Sequence, residues 1–173
     1  PYVVVSDKFH RPMRPESVSR IARNTLNEEG MPGVQLKDLR RDYFLRQLER
    51  HDWTYAVRVS GLSVSTFQAC FAGEMPHKKR PVQAERQFDE FRLWQILQRE
   101  DCSTVGLALW MSWQMGVQGK DLVALTWDQV DLEAGVLRLP EGDAPLTNAV
   151  RRLLENQEGA DAEDYIHSLK VDM

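Results

Sequence analysis

Trp110 to Leu139, WMSWQMGVQGKDLVALTWDQVDLEAGVLRL, combines a buried helix, a tight turn, a second short helix and a strand. The run Val105-Gly106-Leu107-Ala108-Leu109-Trp110-Met111 is almost wholly apolar. It covers about two helical turns, well short of the roughly 20 residues that span a bilayer, and is predicted as a core helix. Gly116 is expected to close it as a left-handed C-cap. A short helix then starts at Gly119, Lys120 and Asp121, with Leu122, Val123 and Leu125 on one face. The chain turns through Asp128 to Gly135, and Val136-Leu137-Arg138-Leu139 alternates like a strand ended by Pro140.

Working outward, 173 residues suffice for one domain or two small ones, and 42% hydrophobic residues with five Trp can furnish a core. The formal charge of −4 and pI near 5.6 argue against a strongly basic nucleic-acid binder and leave local patches open. Cys70 and Cys102 stand far apart without a CxxC or a His at metal spacing, so neither a disulfide framework nor a zinc site is expected. A reducing cytoplasm fits, and no cofactor is implied. No signal peptide or transmembrane run is visible, so no membrane partner is expected. The chain starts at Pro1 without a Met and reads as a processed or excised piece.

From the N-terminus, Tyr2-Val3-Val4-Val5 is predicted as a short strand, followed by a loop from Asp7 to Pro15. A helix is predicted from Glu16 to Glu29, burying Val18, Ile21, Ala22, Thr25 and Leu26 and stopped by Gly30 and Pro32. A second, from Leu36 to Arg50, turns Leu39, Phe44, Leu45 and Leu48 inward. Asp52 to Gly61 is a third, and Ser63 is placed to cap a short fourth through Phe67 and Phe71. Gly73 to Pro81, with His77, Lys78, Lys79 and Arg80 between prolines, is a linker by composition. Beyond it, Ala84 to Glu100 is predicted as an amphipathic helix with Phe88, Phe91, Trp94 and Leu97 on its inner side. After the turn Glu141-Gly142-Asp143, Pro145-Leu146-Thr147 leads into a helix burying Ala149, Leu153 and Leu154. Asp164 to Ser168 faintly echoes Pro1 to Ser6.

The order of parts from Trp110 onward resembles the first half of the catalytic domain of tyrosine recombinases, the phage integrase family. There a helix ends in a Thr-Gly-Leu-Arg-x-Ser-Glu-Leu turn, followed by Leu-x-Trp-x-Asp-Ile-Asp and a hairpin. In this chain Met115 to Leu122 occupies the turn, and Leu125-Thr126-Trp127-Asp128-Gln129-Val130-Asp131-Leu132 follows in register. Gln118 stands where the family has its first catalytic Arg. The N-terminal region resembles the family's second half, with Lys37-Asp38-Leu39-Arg40 in the His-x-Leu-Arg place, Gly61-Leu62 in the Gly-His place and Phe71 in the place of the nucleophilic Tyr.

The resemblance implies an α+β, mainly helical fold of the integrase, DNA breaking-rejoining type, with a small antiparallel sheet and its halves in swapped order. Residues 1–75 match the C-terminal half, 76–83 form the linker and 84–173 match the N-terminal half. Either tandem domains have been cut, or one domain has been circularly permuted. The halves are expected to pack together, since each alone would expose a large apolar face.

In that family a Tyr hydroxyl attacks a phosphodiester while two Arg side chains grip the non-bridging oxygens, and a Lys with a His or Trp assists proton transfer. The planar, always-charged guanidinium binds phosphate bidentately. Gln118 is a neutral amide, Phe71 cannot attack, Leu62 has no proton to give and Lys37 alone could act as a proton donor, so no strand cleavage is expected. The candidates for DNA phosphate are Arg40, Lys37, Arg41 and Lys120, with the linker's Lys78, Lys79 and Arg80. Against this, an Arg beside Arg41 and Asp42 on a charged helix is commonly solvated or ion-paired, and Trp94, Trp110, Trp113 and Trp127 read as packing residues more than base-stacking platforms.

Three functions follow from these residues. One is a catalytically inactive recombinase-like domain that binds double-stranded DNA or regulates a recombinase, with another copy or a recombinase as protein partner. A second is an active site-specific recombinase completed by segments or protomers outside this chain. The third is a helical protein-interaction module, which the acidic net charge favours.

Overall fold

Thr104–Met115 forms a helix buried around nearly its whole circumference, with all but Val105 and Gln114 shielded from solvent. A helix that is apolar on every side can only be the centre of a fold, and the other elements wrap it. The computed structural model describes residues 2–6, 8, 11–71, 88–100, 103–140 and 142–157. In chain order its elements are α1 (Pro15–Glu28), α2 (Leu36–Arg50), α3 (Trp53–Ser60), α4 (Val64–Phe71), α5 (Glu90–Arg99), the central α6 (Thr104–Met115) and α7 (Gly119–Ala124). A 3₁₀ turn at Trp127–Gln129, strands β1 (Val130–Asp131), β2 (Val136–Leu139) and β3 (Gly142–Pro145), and α8 over residues 148–157 complete them. The described residues are thus mainly helical with a small antiparallel sheet, as expected for an α+β chain.

Local chemistry sets the ends of α6. The Ser103 hydroxyl accepts from the Gly106 N–H at 2.9 Å, an N-cap. Gly116, at φ 67°, closes the other end in the left-handed conformation that a Cβ disfavours. Against this helix pack α1, α2, α5 and α7. Val18, Ala22 and Leu26 of α1 recur at helical spacing and reach the same buried cluster as Leu36 and Leu39 of α2, Leu107 to Met111 of α6 and Val150, Leu153 and Leu154 of α8.

One buried cluster therefore draws on residues from both sides of the 72–87 stretch. Farther along α2, Phe44, Leu45 and Leu48 leave that cluster and join a second one with Ala56 of α3 and Phe67 and Phe71 of α4. The rings of Phe67 and Phe71 stack there at 4.5 Å, and Trp53 meets Phe67 edge-on at 4.8 Å. Because α2 serves as a wall for two clusters, its apolar residues do not fall on a single stripe.

The sheet is a meander in the order β1-β2-β3. Val130 pairs with Leu137, and Leu137 with Ala144, all antiparallel. Leu137 is fully buried and fastens the sheet to the main cluster.

Two expectations are corrected. Tyr2 to Val5 is not a strand: Tyr2 makes an isolated bridge to Thr126 and Val5 another to Pro12, with a bend between them. Val3 and Val4 are both buried although they are consecutive, which the alternation of a half-buried strand does not allow. Val3 and Val4 form a buried peg, held by the Val3 N–H donating to the Leu125 carbonyl at 2.9 Å.

On α5, Phe91 and Trp94 point outward, 67% and 47% exposed, while Leu93, Ile96 and Leu97 are buried. The helix carries two apolar stripes at equivalent spacing. Its roll is fixed by Arg92, whose Nε and Nη2 donate to the Glu29 carbonyl at 2.9 and 2.8 Å, and by Arg99, which pairs with the Glu29 carboxylate. Residues 76–83, expected as the linker, and the tail from 162 lie outside the described residues.

Candidate functional site

The seam between α2 and α6 gathers the polar side chains whose burial has to be explained. Arg40 leans from α2 towards two helix ends. Its Nε donates to the Gly116 carbonyl at 2.7 Å and its Nη2 to the Ser60 carbonyl at 2.9 Å, with the guanidinium 4.8 Å from the Phe44 ring centre. Gly116 and Gly61 close α6 and α3 with positive φ, and carbonyls at helix C-termini carry partial negative charge that favours a cation. The planar fork of arginine spans both ends at once, which a lysine could not do.

Two residues along α2, the buried carboxylate of Asp42 accepts from Arg46 Nε and from the indole Nε1 of Trp113, each at 3.0 Å. Arg46 Nη2 also donates to the Trp113 carbonyl, and its guanidinium lies 5.1 Å from the Trp113 ring centre. Tyr43 packs against Gly116 on the same seam. Burial, and secondarily the neighbouring Tyr55, push the Tyr43 phenol above its ordinary value, and Arg46 opposes the shift.

The residues singled out in the sequence fall around this seam. Gln118 is the residue before α7 and makes no capping hydrogen bond through its side chain. Lys37 and Lys120 are exposed in the first turns of α2 and α7. These turns meet the middle of α1, since a Cβ added at Gly119 would lie 3.4 Å from Ser19 Oγ and 4.0 Å from Leu36 Cδ1.

Arg41 donates from Nη1 to the Cys70 carbonyl at 3.0 Å and lies over the Phe71 ring at 5.1 Å. Leu62 is half-buried against the second cluster, and its N–H donates to Ser60 Oγ at 3.1 Å. Phe71 is 3% exposed within that cluster. Arg40 and the Gly116 to Gln118 turn are thus brought into contact, and Leu62 lies two residues from the Ser60 that Arg40 holds. Lys78, Lys79 and Arg80 lie outside the described residues.

Sequence reasoning missed Asp42, Arg46 and Trp113 as a unit. The i, i+4 spacing of Asp42 and Arg46 was a visible signal, but the third member is far along the chain. Among the described residues no cluster of His, Cys, Asp and Glu could hold a metal ion, and no helix is long and apolar enough to cross a membrane. No protein-family model, no curated protein and no solved structure matches the chain.

Proposed function

We propose that this chain is a catalytically silent, integrase-like domain with its halves in swapped order, and that it binds the backbone of double-stranded DNA in a recombination context. The observation that carries the reading is the hydrogen bond from Arg40 Nε to the Gly116 carbonyl at 2.7 Å. It joins the Lys37 to Arg40 segment to the Met115 to Leu122 turn, the two segments that resemble the family's Arg-bearing motifs, through residues 76 positions apart.

The local chemistry supports binding without cleavage. Where the resemblance calls for a nucleophile, Phe71 offers a buried hydrocarbon. Gln118 contributes no charge, and two donors of Arg40 are engaged by helix-end carbonyls. Lys37 and Lys120, exposed where α2 and α7 begin, are the cations that would meet phosphate, each adding to affinity through counterion release.

The test is a salt-titrated binding assay on mixed duplex DNA, comparing the chain with a Lys37→Gln/Lys120→Gln double variant. Binding at low salt should weaken as salt rises, and the variant should lose about two units of the logarithmic salt slope. Absence of binding at low salt overturns the reading, as does covalent trapping of a nicked substrate.

A second reading, a protein-interaction module, is favoured by the exposed aromatic pair Phe91 and Trp94 on α5. Large exposed aromatic side chains grouped on one surface are a feature of protein-binding sites. Unchanged DNA binding in a Phe91→Ser/Trp94→Ser variant would assign the pair no part in the first reading.

A further inference from the structure

α5 exposes two aromatic rings one helical turn apart, Phe91 at 67% and Trp94 at 47%. Residues at i and i+3 on a helix hold their Cβ atoms about 5 to 6 Å apart, so the two rings rise from neighbouring points of the outward face. Their exposure is built in. Leu93, Ile96 and Leu97 take the buried face, and Arg92 fixes the roll of the helix by donating from Nε and Nη2 to the Glu29 carbonyl. Gln95 and Gln98 are the neighbours of the rings on that face. The rings are therefore separate platforms in polar surroundings and not part of a contiguous apolar patch.

The helix that meets α5 is positively charged. The contact of Arg92 with Glu29 sets the start of α5 against the end of α1. Along α1, Arg20, Arg23, Asn24 and Asn27 recur at i, i+3, i+4 and i+7 and are all exposed, away from the buried Val18, Ala22 and Leu26. No carboxylate interrupts residues 17–27, and neither Arg20 nor Arg23 has an ion-pair partner among the described residues. At the middle of α1, Ser19 lies against Gly119, next to Lys120, and the same glycine reaches Leu36, next to Lys37. From Ser19 to Glu29 the chain covers about 15 Å, so α1 joins the two lysines at one end to the rings at the other.

Aromatic rings that take base faces, beside cations that follow the backbone, are how proteins hold single strands. We propose that this side of the molecule binds single-stranded DNA where it leaves a duplex, with unpaired bases stacked on Phe91 and Trp94 and the phosphates of the strand at Arg20 and Arg23. The inference rests on the duplex-binding reading and extends it to a junction between duplex and single strand.

The test uses the full chain with two probes, a blunt duplex and the same duplex carrying an oligothymidine overhang. The overhang should bind about tenfold more tightly, the contribution of one stacked base. Phe91→Ser/Trp94→Ser should remove that advantage and leave the blunt duplex unaffected, while Phe91→Tyr/Trp94→Tyr, which still stacks, should keep it. Arg20→Gln/Arg23→Gln should lower the logarithmic salt slope for the overhang by about 1.4 units. All four side chains are exposed, so the variants should match the native chain in urea midpoint. Equal affinity for the two probes overturns the inference and leaves duplex binding standing. An overhang advantage that survives Phe91→Ser/Trp94→Ser overturns the stacking role and returns the rings to the protein-binding reading. Binding to neither probe overturns both this inference and the reading it rests on.

Discussion

Trp113 donates its indole N–H to the carboxylate of Asp42 at 3.0 Å, across 71 positions of chain. The same oxygen accepts from Arg46, so one buried carboxylate satisfies two donors and joins α2 to α6. Removing one partner of a buried ion pair costs more than the pair contributes, because the survivor is left uncompensated.

Asp42→Ala is therefore expected to lower unfolding stability by about 3 kcal/mol, read from the midpoint of urea denaturation. Asp42→Asn keeps one acceptor and loses the charge, and should fall between the two. A loss below about 0.5 kcal/mol, the usual range for surface sites, would show that the seam does not depend on this carboxylate.

The two tryptophans of α6 should respond differently to the same change. Trp113→Phe removes the donor to Asp42 and is expected to cost about 1 to 3 kcal/mol. Trp110 is as deeply buried, but its Nε1 has no hydrogen-bond partner among the described residues. Trp110→Phe relieves that unpaired donor at the expense of some packing, so it should lie within about 1 kcal/mol of the native chain. Calorimetric melting of both variants checks the order.

Gly116 and Gly33 both have positive φ, at 67° and 85°, yet only one is crowded. A Cβ at Gly116 would collide with the Tyr43 ring, whereas one at Gly33 meets nothing within 4 Å. Gly33→Ala should cost about 1 kcal/mol, the backbone term alone. Gly116→Ala adds overpacking and should cost about 3 kcal/mol or more. Equal costs would mean that Tyr43 swings away freely.

Tyr43 gives a pH dependence. Its phenol is raised above the ordinary 10.0, chiefly by burial, so the folded chain holds that proton more tightly than the unfolded one. The resulting stability is complete below pH about 10 and is lost as pH rises through the folded-state value. Urea midpoints measured across alkaline pH should fall more steeply for the native chain than for Tyr43→Phe. Parallel curves would refute the assignment.

Much of the fold was legible because local chemistry agreed with tertiary need. The bounds of α2, the Gly116 cap, the apolar α6 and the β2 strand all follow from spacing and turn residues. The roll of α5 did not, because Phe91 and Trp94 compete at helical spacing with Leu93, Ile96 and Leu97, and the contact of Arg92 with the end of α1 favours the second set. Tyr2 to Val5 misled because a buried peg and a strand are equally β-branched and apolar. At the seam, Arg40 was visible as a motif residue, whereas the Asp42–Arg46–Trp113 unit needs a partner that no local window contains.

The longest reach of the seam has a consequence for how the chain is made. Arg40, Asp42 and Arg46 leave the ribosome well before Gly116 and Trp113, so α2 emerges with Asp42 and Arg46 able to meet each other while their shared partner Trp113, and the Gly116 carbonyl that Arg40 holds, are not yet synthesised. Closing so long a loop adds only about 0.6 kcal/mol for each doubling of its length, but it delays the step. Nascent chains stalled before α6 should be sensitive to protease in α1 and α2, and protection should set in together once the polypeptide past Gly116 has cleared the exit tunnel.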